Sequence, residues 1–219
     1  MDPRSSFTAL PGPDSCVVVI DDDPEFRASV GRLLRSVGLN SQLFASIADY
    51  LRFEPPSCPT CLLLDVRLPG RSGLDFQRDL AAANSEVPII FVTGHGDIPM
   101  TVQAMKGGAV EFFTKPFRDQ DLLDAIYLAL ARVRAQREQS QALSAIRARF
   151  EALTPREREV MIQVVQGRLS KQIASDMGIS EGTVKVHRSN LMRKMRIVFT
   201  ADLCRIADKL KLLPEQLTP

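Results

Sequence analysis

Five short apolar runs recur between Cys16 and about Val133, and each gives way to a stretch with the apolar spacing of a helix. They are CVVVI followed by 25–37, SQLF by 46–53, CLLLD by 73–83, PIIFVT by 98–107 and EFFT by 119–137. Strands that all run one way need long crossovers, usually helical, so this alternation predicts a parallel sheet between helical layers, an α/β fold. Unbroken runs such as VVVI and LLL predict strands covered on both faces. In such sheets chemically active groups collect beyond the carboxyl ends of the strands. Those ends carry Asp21, Asp22 and Asp23 after the first run, Asp65 after the third, Thr93 after the fourth and Lys115 after the fifth.

Three consecutive carboxylates at the edge of a core repel one another and lose hydration, a cost on the order of several kcal/mol unless a cation offsets it. Taken alone, the stretch also fits a solvated turn and a charged helix start. Taken with Asp65, the side chains of Asp21 and Asp22 and a backbone carbonyl two residues beyond Asp65 form an oxygen-rich set suited to Mg²⁺. Asp65 is then a nucleophile toward a phosphoryl group, with Lys115 and the cation stabilising the phosphoryl oxygens and Thr93 hydrogen-bonding the attached group. Asp23 has no ligand role and is expected to be solvated or at the helix start; His95 is expected to be exposed rather than catalytic.

The formal net charge of +2 conceals a division. Residues 1–130 hold 11 Lys and Arg against 17 Asp and Glu, a balance of −6, and residues 131–219 hold 17 against 9, a balance of +8. Such asymmetry predicts two modules, the basic one facing nucleic acid. Between them Leu130–Leu153 is polar, lacks Gly and Pro, and predicts an extension of the last helix into a linker. Beyond it the pattern is all helical. Thr154 caps TPRERE, whose helix Gly167 closes; SKQIASDMG stops at Gly178; Ser180 caps ISEGTVKVHRSNLMRKM; a fourth helix runs from about Thr200 to Leu212, before Pro214.

Steps of about 100° around the third of these helices put Val184, Leu191 and Met195 on one side and Lys185, Val186, Ser189, Arg193 and Arg196 on another. A short helix, a glycine turn and a helix with an exposed basic face is helix-turn-helix geometry, which lays the later helix in the DNA major groove. Arg188 falls about 40° from Val184, so it is expected to pair with Glu157 or Glu159 of a preceding helix. His187 is expected to pack or to meet a phosphate.

Other function classes lack support. No apolar stretch approaches the roughly 20 residues that span a bilayer, and residues 1–14 lack the apolar centre of a signal peptide, so no membrane partner and a cytoplasmic location are expected. The CPTC pair, Cys58 and Cys61, has no second ligand pair to complete a zinc site, since the histidines are only His95 and His187. Cys16 and Cys61 open apolar runs and are expected to be small buried thiols.

The segments VVVIDDDPEFR, LLLDVRLPGRSGLDF, IIFVTGHGD and EFFTKPF, in that order at successive strand ends, resemble the receiver domain of bacterial two-component response regulators. LTPREREVMIQVVQGRLSKQIASDMGISEGTVKVHRSNLMRKM is similar to the DNA-binding domain of LuxR/FixJ/NarL-type regulators. The two cover about residues 16–212, and the likeness is closest to the FixJ subfamily. The resemblance implies a flavodoxin-like receiver with a five-stranded parallel sheet at 15–131, a helical linker at 132–152, and an all-α four-helix helix-turn-helix domain at 153–213, after a flexible extension at 1–14. It implies that Asp65 accepts phosphate from a sensor histidine kinase, that Asp22 binds Mg²⁺ directly and Asp21 partly through water, and that the Arg67 carbonyl is the remaining ligand. Thr93 and Phe112 would be the switch pair, acting by a local charge event on a two-state element, and the Lys115–Pro116 bond would be cis.

In the basic domain the resemblance brings Lys185, Val186 and Ser189 nearest the base edges and Lys171, Thr183, Arg193 and Arg196 near phosphates. Promoter DNA and RNA polymerase are the implied further partners, and a homodimer the implied phosphorylated state. The implied protein is a regulator and not an enzyme. Two rivals remain: a DNA-binding protein whose receiver is a phosphorylation-independent dimerisation platform, and, more remotely, an Mg²⁺-dependent aspartyl-phosphate phosphatase of the haloacid-dehalogenase type. The latter chemistry wants an acid two residues after the nucleophile, where this chain has Arg67.

Overall fold

The structure, a computed structural model, describes residues 14–212, so most of the expected extension at 1–14 and the last residue of the expected DNA-binding domain lie outside the described residues. Two compact units divide at Gln136 and Arg137. In the first, strands and helices alternate in the predicted order: β1 (Cys16–Ile20), α1 (Pro24–Ser36), β2 (Asn40–Phe44), α2 (Ile47–Leu51), β3 (Thr60–Asp65), α3 (Gly73–Ala82), β4 (Ile89–Thr93), α4 (Ile98–Lys106), β5 (Glu111–Thr114) and α5 (Asp119–Glu151). The five strands are all parallel, in the order β2-β1-β3-β4-β5.

Side chains alternate across the sheet, so each central strand feeds two cores. Val18, Ile20, Leu62, Leu64 and Phe91 meet Tyr50, Leu74, Phe76 and Ala104 on the face covered by α2, α3 and α4. Val17, Val19, Leu63, Ile90 and Val92 meet Val30, Leu34, Leu122, Ile126 and Leu130 of α1 and α5 on the other. Each fully buried aliphatic side chain contributes about 1.5–3 kcal/mol relative to exposure. Burial on both faces holds for β1, β3 and β4; the edge strands β2 and β5 are half open, because each lacks a neighbour on one side.

Register decides which chain ends become neighbours. Ile20 is paired with Leu64, Asp65 with Val92, and Thr93 with Thr114, so Asp21, Asp65, Thr93 and Lys115 leave the sheet along one rim. The loops there are built from local chemistry. Asp23 is the N-cap of α1, accepting from the Glu25 and Phe26 N–H groups ahead of Pro24, which is the helix-start role expected for it. Asp97 caps α4 through the Met100 N–H. The Lys115–Pro116 bond is cis.

The cysteines divide between the same two cores. Cys58 packs against the first core and Cys61 lies in the second, so the CPTC pair is split between the two faces. Burial, with Cys58 nearby, pushes the Cys16 thiol up to about 11, and burial pushes Cys61 higher still.

The second unit takes the end of α5 and adds α6 (Pro155–Val165), α7 (Ser170–Met177), α8 (Glu181–Met195) and α9 (Thr200–Leu210). Thr154 and Glu157 form a capping box at α6, Gly178 ends α7 in the left-handed region at φ 65°, and Ser180 caps α8. The core gathers Leu153, Met161, Ile173, Val184, Leu191, Met195 and Leu203, with Ile146 and Phe150 of α5 packed against it. Among the described residues no helix is long and apolar enough to cross a membrane.

Candidate functional site

The carboxylates of Asp21, Asp22 and Asp65 offer ligand oxygens within 4.8 Å of one another, and no other such group of metal-ligating side chains occurs among the described residues. Asp21 and Asp65 are buried while Asp22 is exposed. Lys115 reaches in from the end of β5, its Nζ 2.6 Å from Asp21 Oδ2 and 3.7 Å from Asp65 Oδ2. Arg27 of α1 donates to the Asp21 carbonyl at 2.6 Å. The Asp23 N–H donates to Asp21 Oδ1 and the Arg67 N–H to Asp65 Oδ1, each at 2.9 Å. Two cationic side chains against three carboxylates leave the rim net negative, and all the donors are hard oxygens. Such a set fits Mg²⁺.

Burial raises the Asp21 carboxyl above the ordinary carboxylate range, and the Asp65 charge adds to this; the Lys115 ion pair and the Asp23 N–H oppose the rise without cancelling it. Thr93 is buried at the end of β4, its hydroxyl accepting from the His95 N–H at 3.3 Å, and His95 itself is exposed. Phe112 is half-buried on β5, its ring 6.1 Å from that of Phe91. Thr93 and Phe112 both border the space beside Gly96, where an added Cβ would lie 2.7 Å from Thr114 Cγ2, 3.0 Å from Phe112 Cε1 and 3.3 Å from Thr93 Cγ2.

In the second unit Val184, Leu191 and Met195 are completely buried, which turns the opposite side of α8 to solvent. Lys185, Val186, Ser189 and Arg193 are all exposed there, with Thr183 at the start of α8 and Lys171 on α7; Arg196 is exposed too, but it is the C-cap residue at φ 57°, so the helical step that set it on this face ends one residue before it. The Thr183 hydroxyl lies 2.9 Å from that of the cap residue Ser180, so it is already engaged at the helix N-terminus.

Comparison with known proteins agrees with both halves. Residues 17–127 match the response regulator receiver domain, and residues 151–207 match the bacterial regulatory proteins of the luxR family. The chain belongs to the response regulator family. It is 50% identical over 194 residues to nodulation protein W of Bradyrhizobium diazoefficiens, covering 89% of this chain and 86% of that one. It is 41% identical over 196 residues to the transcriptional regulatory protein FixJ of Azorhizobium caulinodans, covering 89% and 93%. Among solved structures it resembles the response regulator StyR at a TM-score of 0.83 and 42% identity, covering 90% of this chain and 99% of that one. The regulator is thus a two-component response regulator with a LuxR-type DNA-binding domain, and its class is transcriptional regulation rather than catalysis. Receiver domains bind Mg²⁺ at an acidic site of this kind, and this one has the donors for it.

One expected pairing differs. Arg188 bonds Ser170 Oγ at 3.2 Å, and the buried Glu157 is instead held by Lys194 at 2.7 Å, while Glu159 pairs with Arg156 on the surface. Lys194 lies about 80° from Val184 on the flank opposite Arg188. That flank faces the start of α6, whereas Arg188 faces the start of α7. Helical angle gave the distance from the core stripe but not which neighbour lies on each side.

Burial acts against the Glu157 charge, but the Lys194 ammonium and the Thr154 N–H and hydroxyl more than offset it, holding the carboxyl below its ordinary 4.5. A depressed folded value means the stabilisation is complete above about pH 4.5 and is lost as pH falls through the folded value. Glu157→Gln should therefore destabilise the regulator by about 1–3 kcal/mol at neutral pH, toward the lower end because Lys194 is part exposed. The gap from the parent should narrow as pH is lowered, in urea unfolding followed by circular dichroism. A gap that widens in acid would contradict the pairing.

Three residues of the rim have no signal in the sequence. Arg27 reaches the Asp21 carbonyl, Phe26 places its ring 3.6 Å from Lys115 Nζ, and Gly73 packs against the Asp65 carbonyl. Each acts across a loop or between distant segments, where no spacing rule operates.

Proposed function

We propose that phosphorylation of Asp65 by a sensor histidine kinase switches the regulator toward dimerisation and promoter binding. The observation that carries this reading is the joining, in one chain, of the Asp21, Asp22, Asp65 and Lys115 cluster to the exposed basic face of α8. Asp65 is the phosphoacceptor: a carboxylate oxygen bonds to phosphorus as the donor's P–N bond breaks, and the electron pair returns to the imidazole. Lys115 meets the charge on the phosphoryl oxygens and Thr93 hydrogen-bonds the attached group. Asp21, Asp22, Asp65 and the Arg67 carbonyl would hold Mg²⁺, which would supply further positive charge there. Thr93 and Phe112 are the switch pair, a proposal supported by the way both border the space beside Gly96.

The receiver occupies 15–131, a helical linker 132–152 and the DNA-binding domain 153–213. Lys185, Val186 and Ser189 read base edges, Lys171, Thr183, Arg193 and Arg196 meet phosphates, and RNA polymerase in the cytoplasm is the downstream partner. Sedimentation and promoter titration with and without a small acyl phosphate donor test the switch: the phosphorylated form should contain more dimer and bind more tightly. Equal dimer and equal affinity in both states would favour a phosphorylation-independent platform. Lys185→Ala should weaken specific binding by about 1–3 kcal/mol if this side chain reads a base, and should only flatten the salt slope slightly if it meets a phosphate.

A further inference from the structure

Among the described residues the Lys115 ammonium is the one cation paired with two carboxylates of the rim, and its position depends on what holds the rest of the side chain. An ammonium has three N–H donors. One reaches Asp21 Oδ2 at 2.6 Å and a second faces Asp65 Oδ2 at 3.7 Å. The remaining side of the ammonium is closed by the ring of Phe26, whose centroid lies 3.6 Å from Nζ. That separation is well inside the range of about 6 Å for a cation over an aromatic face.

The ring is itself braced. Phe26 meets Phe117 edge-on at 6.1 Å, and Phe117 packs against Phe113 at 5.5 Å. Phe113 and Phe117 flank Lys115 in sequence, one on β5 and the other after Pro116, and all three rings pack against the core beneath α1 and α5. The aromatic chain therefore joins α1 to the segment that carries the lysine. With the ring above it, the Lys115 side chain is only 21% exposed although it ends a strand at the surface.

We propose that Phe26 is a positioning residue for Lys115: its ring face holds the ammonium between Asp21 and Asp65 and keeps water from that side, so the cation is in place when a phosphoryl group arrives. The inference rests on Asp65 as phosphoacceptor. A lysine without this ceiling retains its charge but samples solvent, and the cost falls on transfer to Asp65 rather than on folding. Aliphatic residues fill similar space and supply no negative π-face.

The test uses the full chain. In the parent without metal, the Lys115 ε-CH₂ protons should be shifted upfield in the NMR spectrum by the ring current of Phe26; ordinary shifts would overturn the proposal without recourse to any variant. Phe26→Leu should abolish the upfield shift and slow labelling by a small acyl phosphate about three- to tenfold, while Phe26→Tyr keeps the shift and labels within about twofold of the parent. Equal rates for Phe26→Leu and the parent would overturn the proposal, as would equal slowing by Leu and Tyr. Asp65→Asn in the same assay separates the two levels: if it still labels, the phosphoacceptor reading fails while the Lys115 signature stands or falls on its own.

Discussion

Asp65→Asn should take up no phosphoryl group from a small acyl phosphate with Mg²⁺ present, whereas the parent should acquire an acid-stable, base-labile label. The expected loss is complete, because an amide offers no anionic oxygen to attack phosphorus and no stable acyl phosphate can form on it. Geometry makes the test clean. The carboxylate is buried at the end of β3, accepts from the Arg67 N–H at 2.9 Å and faces Lys115 at 3.7 Å, and an amide oxygen can preserve the first of these bonds. The variant should fold and should bind promoter DNA with one affinity, unchanged by the donor. A label that persists in the variant would remove Asp65 from the mechanism and return attention to Asp21 and Asp22 on the same rim.

Gly73→Ala should damage the same site from behind. A Cβ at Gly73 would lie 2.2 Å from the Asp65 carbonyl oxygen, well under the 3.0 Å that real Cβ atoms keep, and 3.2 Å from Leu64 Cγ. The obstructing atom is backbone, and the Gly73 N–H is tied to the Val66 carbonyl at 2.9 Å, so neither side yields by a rotamer change. Either the end of β3 or the start of α3 must move. Overpacking of this kind costs about 1–3 kcal/mol, occasionally more. Urea unfolding should show that loss together with a fall in the labelling rate, since the displaced strand end carries Asp65. Gly182→Ala is the control: its nearest neighbour is Ser180 Oγ at 3.6 Å, and removal of a helical glycine there should stabilise by about 0.5–1 kcal/mol. Equal behaviour of the two variants would show that β3 and α3 tolerate the added methyl.

Both expected results turn on side chains at strand ends, and those ends were legible early. Alternation of apolar runs with helical stretches is a local pattern, repeated through the first unit, and it constrains strand direction through the length of the crossovers. The same applies to the caps. Asp23, Thr154 and Ser180 bind N–H groups two or three residues away, so their roles are written within a single turn of chain. The solvent face of α8 followed from its helical period, because Val184, Leu191 and Met195 needed a core and only one side could provide it.

What eluded sequence reasoning lies where two elements meet. Lys194 and Arg188 both flank the apolar stripe of α8, and the choice of Lys194 as the partner of Glu157 depends on which way α6 lies against that helix. Phe26 and Lys115 are 89 positions apart and touch because β5 ends and α1 begins on the same rim. Cys58 and Cys61 look like a pair in the chain, but Cys58 lies in the bend before β3 and Cys61 on the strand, and they pack against different cores.

The sequence by itself therefore determined the parallel sheet, the acids, hydroxyl and lysine at its carboxyl edge, the helix boundaries and the basic face of α8. All of these depend on spacing between near neighbours in the chain. Only the tertiary structure decided that Lys115 sits between two carboxylates beneath an aromatic ring, that Gly73 leaves no room beside Asp65, and that Lys194 rather than Arg188 satisfies Glu157. Those facts depend on the register and relative rotation of packed elements, which are settled jointly by every side chain in the two cores and are therefore not written at any one position.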